Sequence, residues 1–421
     1  MIVDLGCNGF VHWIGRSAVN VNIHHQKLNT SQVTKAIKIS STPGREEMGI
    51  SVSAKRIPIT AFFVLTFALL HSHVFAFQLS PIGTEAERKF AKRWGTVIKA
   101  EIAISETALH NFADPVHETL TQKIFGCDGD WNDCADPDLE YAGPYVIAGL
   151  RWNDDPVFML TSGEATNLPC ITKDTVSFVT QTRCWLALFR DAEKKSSQNS
   201  TYFKQPGKGS YLTRSHFGDL QFLHAMASED GEPASVTKAK ILMWAQFTWG
   251  VIEGKYRLET QLRDIPIEGW KAHFSNGHSV QDLFTMGRPW LRPNIKSLAL
   301  GSLMHVVQDS FAQGHVDRRE PISGQTCLNG SSSVFGQVRE FHSYAKQDHS
   351  KHKESDSDES ARKNIQLQDP DVIDAGRKIR QFFDRQSPWA EVEQYLTQCV
   401  LVLEDENKPS SAGEEYAISS L

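Results

Sequence analysis

Several familiar signatures are missing from this 421-residue chain. It has no GxxxxGK[ST] phosphate loop and no GxGxxG turn, so the common P-loop and dinucleotide-binding sites are excluded. No internal repeat is present. Period-2 alternation of apolar and polar residues nowhere persists, which argues against an all-β sandwich or barrel. No two of the seven cysteines stand in a CxxC spacing, so a zinc knuckle held by thiolates is not expected. Basic residues are not in excess: 44 Lys and Arg face 50 Asp and Glu, a net charge of −6. That balance speaks against broad, non-specific nucleic-acid binding.

One apolar run is present, "IPITAFFVLTFALLH", Ile57 to His71. Lys55 and Arg56 precede it, and "HVFA" ending at Ala76 follows. A basic start, an apolar centre of about a dozen residues and a small-x-small ending read as a secretory signal. The run is short of the roughly 20 residues of a membrane helix; the alternative is a signal-anchor helix. Met48 offers a natural start. The expected organisation is therefore an upstream extension or mis-assigned start over 1–47, a signal peptide over 48–76, a helical domain over 77–406 and a flexible tail over 407–421. The part beyond Ala76 holds 37 basic and 47 acidic residues, a net of −10. It keeps six cysteines, an even number that favours disulfides in an exported chain, secreted or periplasmic. Cys127 with Cys134 and Cys170 with Cys184 are the first pairings to expect, with connectivity left open.

Helical periodicity dominates the rest. Residues 82–125 read as two amphipathic stretches, and "YVIAGLRWNDDPVFML" as helix or strand. Residues 193–210 read as a surface loop with an Asn199-Ser200-Thr201 sequon. "SHFGDLQFLHAMAS" reads as the start of a helix capped by Ser215 or a neighbour. Residues 296–313 give an apolar helix, and residues 370–404 a last helix pair. The expected fold is mostly α, a single large helical domain.

The chemistry concentrates in "LGSLMHVVQDSFAQGHVDR", Leu300 to Arg318. His305 and Asp309 are one helical turn apart and can reach one point, and His315 can return to the same place where the helix ends near Gly314. Polar groups buried without partners cost about 2 kcal/mol or more each. Three of them in one apolar segment point to metal ligation, because zinc accepts imidazole nitrogen and carboxylate oxygen. Other histidines and carboxylates extend the pattern: His117, His216, the Asp154-Asp155 pair of "LRWNDDP", and His352-x3-Asp356 in "FHSYAKQDHSKHKESD", where His342 and His349 are alternatives to His352.

This order of residues resembles the zinc-dependent phospholipase C and single-strand-specific nuclease superfamily. The central segment matches the spacing of that family's central helix, and "SHF" at Ser215–Phe217 looks like its histidine segment. The rest, from about residue 115 to 356, matches in order and residue type. The resemblance implies an exported helical enzyme with up to three zinc ions (Zn2+) in one cleft. It implies that Asp309 bridges two ions and that His305, His216 and one aspartate of the pair complete one site. His117 would serve the ion on the other side of Asp309, and His315, His352 and Asp356 would hold the third. The same aspartate is the implied general base, with Asp154 preferred over Asp155. One departure is plain. In the family the mature N-terminus ligates zinc shortly before the first histidine, whereas Phe77 lies forty residues before His117; His110 is a candidate substitute.

The expected activity is phosphodiester hydrolysis by metal-activated water, phospholipase C-like on phospholipids, with transient contact to a membrane surface. No stable nucleic-acid partner is expected. Trp152, Phe158 and Phe217 are either lipid-facing or, more simply, core. The alternatives are a nuclease of the same fold and, in another class, a metal-stabilised exported protein with no activity.

Overall fold

Every residue from Leu298 to Asp309 is buried. A helix covered on all sides must lie among other helices, and this one forms the axis of the fold. The computed structural model describes residues 115–418, apart from 137–138, 166, 206–207 and 331. The expectations for the upstream segment, the signal, Phe77, the first amphipathic stretch and His110 lie outside the described residues.

The helices, in order, are α1 (Val116–Ile124), α2 (Trp131–Cys134), α3 (Pro144–Trp152), α4 (Thr182–Gln198), α5 (Tyr211–Phe217), α6 (Ala234–Ile252) and α7 (Trp270–His273). Then follow α8 (Val280–Thr285), α9 (Ile295–Asp309), α10 (His349–Ser355), α11 (Asp358–Leu367), α12 (Val372–Asp384) and α13 (Trp389–Tyr395). Strands are short: β1 (Phe158–Met159) with β2 (Thr175–Val176), β3 (Val316–Arg318) with β6 (Val338–Phe341), and β4 (Thr326–Cys327) with β5 (Ser332–Ser333), each pair antiparallel. The protein is thus mostly α, as its patterning predicts.

Helix α9 packs against α3, α6 and α1. Its crossing with α3 depends on glycines. A Cβ on Gly149 would collide with the Leu298 carbonyl, and one on Gly301 with the Val146 carbonyl and the Leu150 amide. The two backbones therefore touch directly, which only residues without side chains permit. Above this contact the rings of Trp152 and Trp244 stack at 5.5 Å, and Trp244 continues to Trp270 at 6.2 Å. Trp152, Phe158 and Phe217 are all buried; they are core.

Three disulfides are present: Cys127–Cys134 and Cys170–Cys184, as the local spacing suggests, and Cys327–Cys399, which spans 72 residues. Such bonds persist in oxidising surroundings. Among the described residues no helix is long and apolar enough to cross a membrane.

Four local expectations need correction. The loop expected over 193–210 is helical as far as Gln198, because α4 carries its amphipathic period past the lysines. The helix expected to begin at Ser215 ends there instead. Ser210 caps α5 by accepting from the Thr213 amide, and Gly218 stops it. Helix α9 ends at Asp309, and a turn rather than further helix leads to His315. The tail beyond Asn407 is anchored as far as residue 418. Gly231 N donates to Ser410 O (2.8 Å), Ser343 N to Ser411 O (2.7 Å) and Asp348 N to Tyr416 O (2.6 Å).

Candidate metal centre

The polar residues of α9 face a cavity wall built by four other segments. His305 and Asp309 lie one turn apart, with His305 Nε2 3.0 Å from Asp309 Oδ2. Helix α1 brings His117, whose ring stacks on His305 at 4.0 Å and whose Nε2 lies 3.3 Å from Asp309 Oδ1. The residues just after α3 bring Asp154, with Oδ1 3.7 Å from His305 Nε2. The 3₁₀ turn Gln221–His224 brings His224, whose Nδ1 is 3.0 Å from Asp309 Oδ2 and 3.6 Å from Asp154 Oδ1. His216, at the end of α5, joins Asp154 and His224.

A second cluster adjoins the first. His315 and His352 stack at 5.0 Å, and Asp356 takes His315 Nε2 at 3.5 Å and His352 Nε2 at 3.1 Å. His315 Nδ1 also lies 3.7 Å from Asp309 Oδ2, so Asp309 borders both clusters. The groups whose ligand atoms converge are His117–Asp154–His305, Asp154–His216–His224, His224–His305–Asp309 and His315–His352–Asp356. All of these residues are buried.

Asp154 and Asp155 part company here. Asp155 accepts the Phe178 amide on both oxygens, at 2.8 and 2.9 Å, and faces Arg288; it secures the loop before α4. Asp154 has no hydrogen-bond donor on either oxygen. Of the late histidines, His352 is the one beside Asp356. His349 lies at the surface, 3.5 Å from Glu193, and His342 stands behind His315 with Nδ1 on the Gly314 carbonyl at 3.0 Å.

His224 is the residue that sequence reasoning missed. It sat inside a segment read as an ordinary helix. The signal was available: "FLHAM" places a histidine among apolar residues, the same anomaly that marks His305.

Outer contacts aim the rings. His117 Nδ1 donates to Gln308 Oε1 (2.6 Å), and Gln308 Nε2 in turn donates to Thr121 Oγ1 (2.8 Å), which fixes the amide and so the imidazole tautomer. His216 Nδ1 donates to Leu212 O at 2.9 Å, and His315 Nδ1 to His224 O at 2.8 Å. In each case Nε2 is left for the cluster, as metal-bound histidines require. Asn153 ties the supporting elements together. Its Nδ2 donates to Leu223 O (2.7 Å), and its Oδ1 accepts from Ser302 Oγ (2.6 Å), which itself accepts Trp244 Nε1 (3.2 Å).

The electrostatics are unbalanced in one direction. Burial pushes His305 and His216 down to about 3, and it also lowers His224 and His352, so these rings are neutral. Burial raises Asp154 well above the usual carboxylate range, and Asp309, Glu118 and Asp356 add to the rise. Asp309 is held well below that range: burial opposes its ionisation, but His305, His315 and His117 outweigh burial. His315 moves against its own burial, up to about 9, because Asp309 and Asp356 flank it. Glu118 is matched by Arg151 at 2.6 Å. The four neutral imidazoles of His216, His224, His305 and His352, beside three buried aspartates, make a concentration of lone pairs that a cation satisfies. Unpartnered buried carboxylate costs several kcal/mol per ion, so Asp154 and the neighbouring nitrogens fit metal ions. The donor set of nitrogen and oxygen without sulfur suits zinc, and other divalent transition ions as well.

No protein-family model, curated protein or solved structure matches this chain.

Proposed function

We propose that this chain is an exported zinc-dependent phosphoric diester hydrolase. The observation that carries the reading is Asp154: a buried carboxylate with no donor on either oxygen, at the meeting point of His117, His216, His224 and His305. Structural metal sites are closed by their ligands, whereas hydrolytic sites keep a base beside an open position.

His117, Asp154 and His305 would hold one ion, His216 and His224 with Asp154 a neighbouring one, and His315, His352 and Asp356 a third, with Asp309 beside them through His224 and His305. Zinc bound there would supply polarisation of phosphoryl oxygens and a water whose pKa falls toward about 7. The chain's own part is positional. Asp309 turns Oδ1 towards His117 and Oδ2 towards His224 and His305, so one carboxylate serves two sides. Asp154 is placed to accept the proton that the attacking water gives up. Its raised proton affinity favours that role. Phospholipid is the substrate that the family resemblance suggests.

The test is hydrolysis of bis(p-nitrophenyl) phosphate by the full chain after zinc loading. The wild type is expected to turn over, chelator to abolish turnover, and Asp154→Asn to lower kcat by about 100-fold or more, as loss of a general base does. A chain that binds zinc and hydrolyses no diester is a metal-stabilised protein without activity, which contradicts the proposal.

A further inference from the structure

A cavity of about 750 Å³ opens beside the candidate metal centre. His216 and Phe217 of α5 and Tyr344 are among the residues that line it. His216 belongs to the group with Asp154 and His224. The Tyr344 ring stands edge-on to Phe217 at 5.6 Å and to His352 at 5.1 Å. The cavity therefore reaches the first cluster at His216 and the second through Tyr344.

Its walls are unlike a lipid slot. Ser196, Ser197, Asn199 and Thr201, at the end of α4 and in the turn after it, line the cavity with hydroxyl and amide groups; the Gln221 and Gln347 amides on the wall are taken up by backbone partners. Ligand sites for acyl chains are lined mostly by apolar side chains. Both lysines on the wall are paired: Lys204 with Glu229 at 3.0 Å and Lys346 with Asp230 at 2.7 Å. Glu193 adds a further carboxylate, 3.5 Å from His349. A nucleic-acid strand needs a row of cations for successive phosphates, and these lysines are already engaged. What remains, among the described residues, is a hydroxyl-rich space without a free cation, lined also by the Phe217 and Tyr344 rings. Aromatic rings offer apolar faces to C–H groups, while the amides and hydroxyls bond O–H groups.

We propose that this cavity binds the uncharged, hydroxylated alcohol part of the substrate, a polyol such as an inositol or a sugar, on one side of the scissile phosphodiester. The proposal rests on the diesterase reading for its biological sense, but the cavity's affinity for a polyol is measurable without it.

The probe is free myo-inositol with the zinc-loaded full chain, read by saturation-transfer NMR. The control variant is Ser197→Trp, which places a large ring on the cavity wall from a surface position of α4; zinc content is measured in parallel. The expected result is clear transfer in the wild type and at least a fivefold loss in S197W at equal zinc content. Absence of transfer in the wild type, or equal transfer in both proteins, overturns the proposal. The source of the polyol is then resolved by turnover. Either soluble glycerophosphoinositol or phosphatidylinositol in vesicles is expected to be cleaved at least tenfold faster than phosphatidylcholine or single-stranded DNA, and the faster of the two identifies it. Equal or faster cleavage of phosphatidylcholine or DNA overturns the polyol assignment. Bis(p-nitrophenyl) phosphate separates the two claims. Its hydrolysis without inositol binding sinks only the cavity; inositol binding without any diester hydrolysis sinks only the proposed function.

Discussion

At the scale of single residues, neighbouring aspartates carry opposite duties. Asp154 is buried without a donor; Asp155 holds the Phe178 amide. In metal-free protein, Asp154→Asn is expected to raise the melting temperature at pH 7. The sign follows from the raised folded pKa: stability is fully present below the ordinary value of 3.8 and is lost as pH rises through the folded value. The asparagine removes that loss. Burial raises the Asp155 carboxyl as well, against the Phe178 amide and Arg288. Losing these partners in Asp155→Asn, about 1–3 kcal/mol, is therefore expected to offset its gain and leave a smaller rise in melting temperature than Asp154→Asn, or none. Thermal melts of both variants from pH 4 to pH 8 check the contrast. Gln308 acts through His117. Gln308→Ala is expected to weaken zinc binding by about 10–100-fold, read by chelator competition, with Gln308→Glu retaining more of it. Spacing marked His305, Asp309 and His315, and it marked His352 with Asp356 while leaving His342 and His349 as alternatives to His352. The sequence favoured Asp154 without separating it from Asp155, because their difference lies in a backbone amide 23 residues away. Nor does spacing reveal that His216 and His224, eight positions apart, converge on the same aspartate.

At the scale of elements, the centre depends on how closely α3 approaches α9. Residues just after α3 carry Asp154, and α9 carries His305 and Asp309. Gly149 and Gly301 set the separation, and Asn153 locks it by joining Ser302 to Leu223, the neighbour of His224. Gly301→Ala is expected to destabilise the protein by several kcal/mol, since an added methyl must displace backbone rather than a flexible side chain. It should also lower zinc occupancy in whatever fraction folds. Denaturant unfolding with parallel metal analysis measures both. The sequence showed α9 as a broad apolar helix, but a glycine in a helix reads there only as a weak point. Its role is visible once the facing carbonyl is known. The missed caps and the anchored tail have the same cause: Ser210 competes with Ser215 for one role, and Ser410 and Ser411 bond to residues some 180 and 70 positions away.

At the scale of the whole molecule, a mostly α frame is closed by three disulfides and by a centre drawn from α1, α3, α5, α9, α10 and the turn at His224. The Cys327–Cys399 bond closes a loop of 72 residues, and replacing both cysteines by serine should cost about 4 kcal/mol, seen as a lower denaturation midpoint. The helical class and two of the bonds were legible in composition and spacing. The third bond was not, because its partners meet only when β4 reaches the residues after α13. The central claim is that the buried histidines and aspartates form a metal centre, and metal analysis of the full chain purified without chelator tests it most directly. The account predicts at least two zinc equivalents per chain, a fall by one or more equivalents in Asp309→Asn, and a lower melting temperature once chelator removes the metal. Protein that carries no divalent metal, takes none up at micromolar zinc and melts at the same temperature with chelator contradicts it.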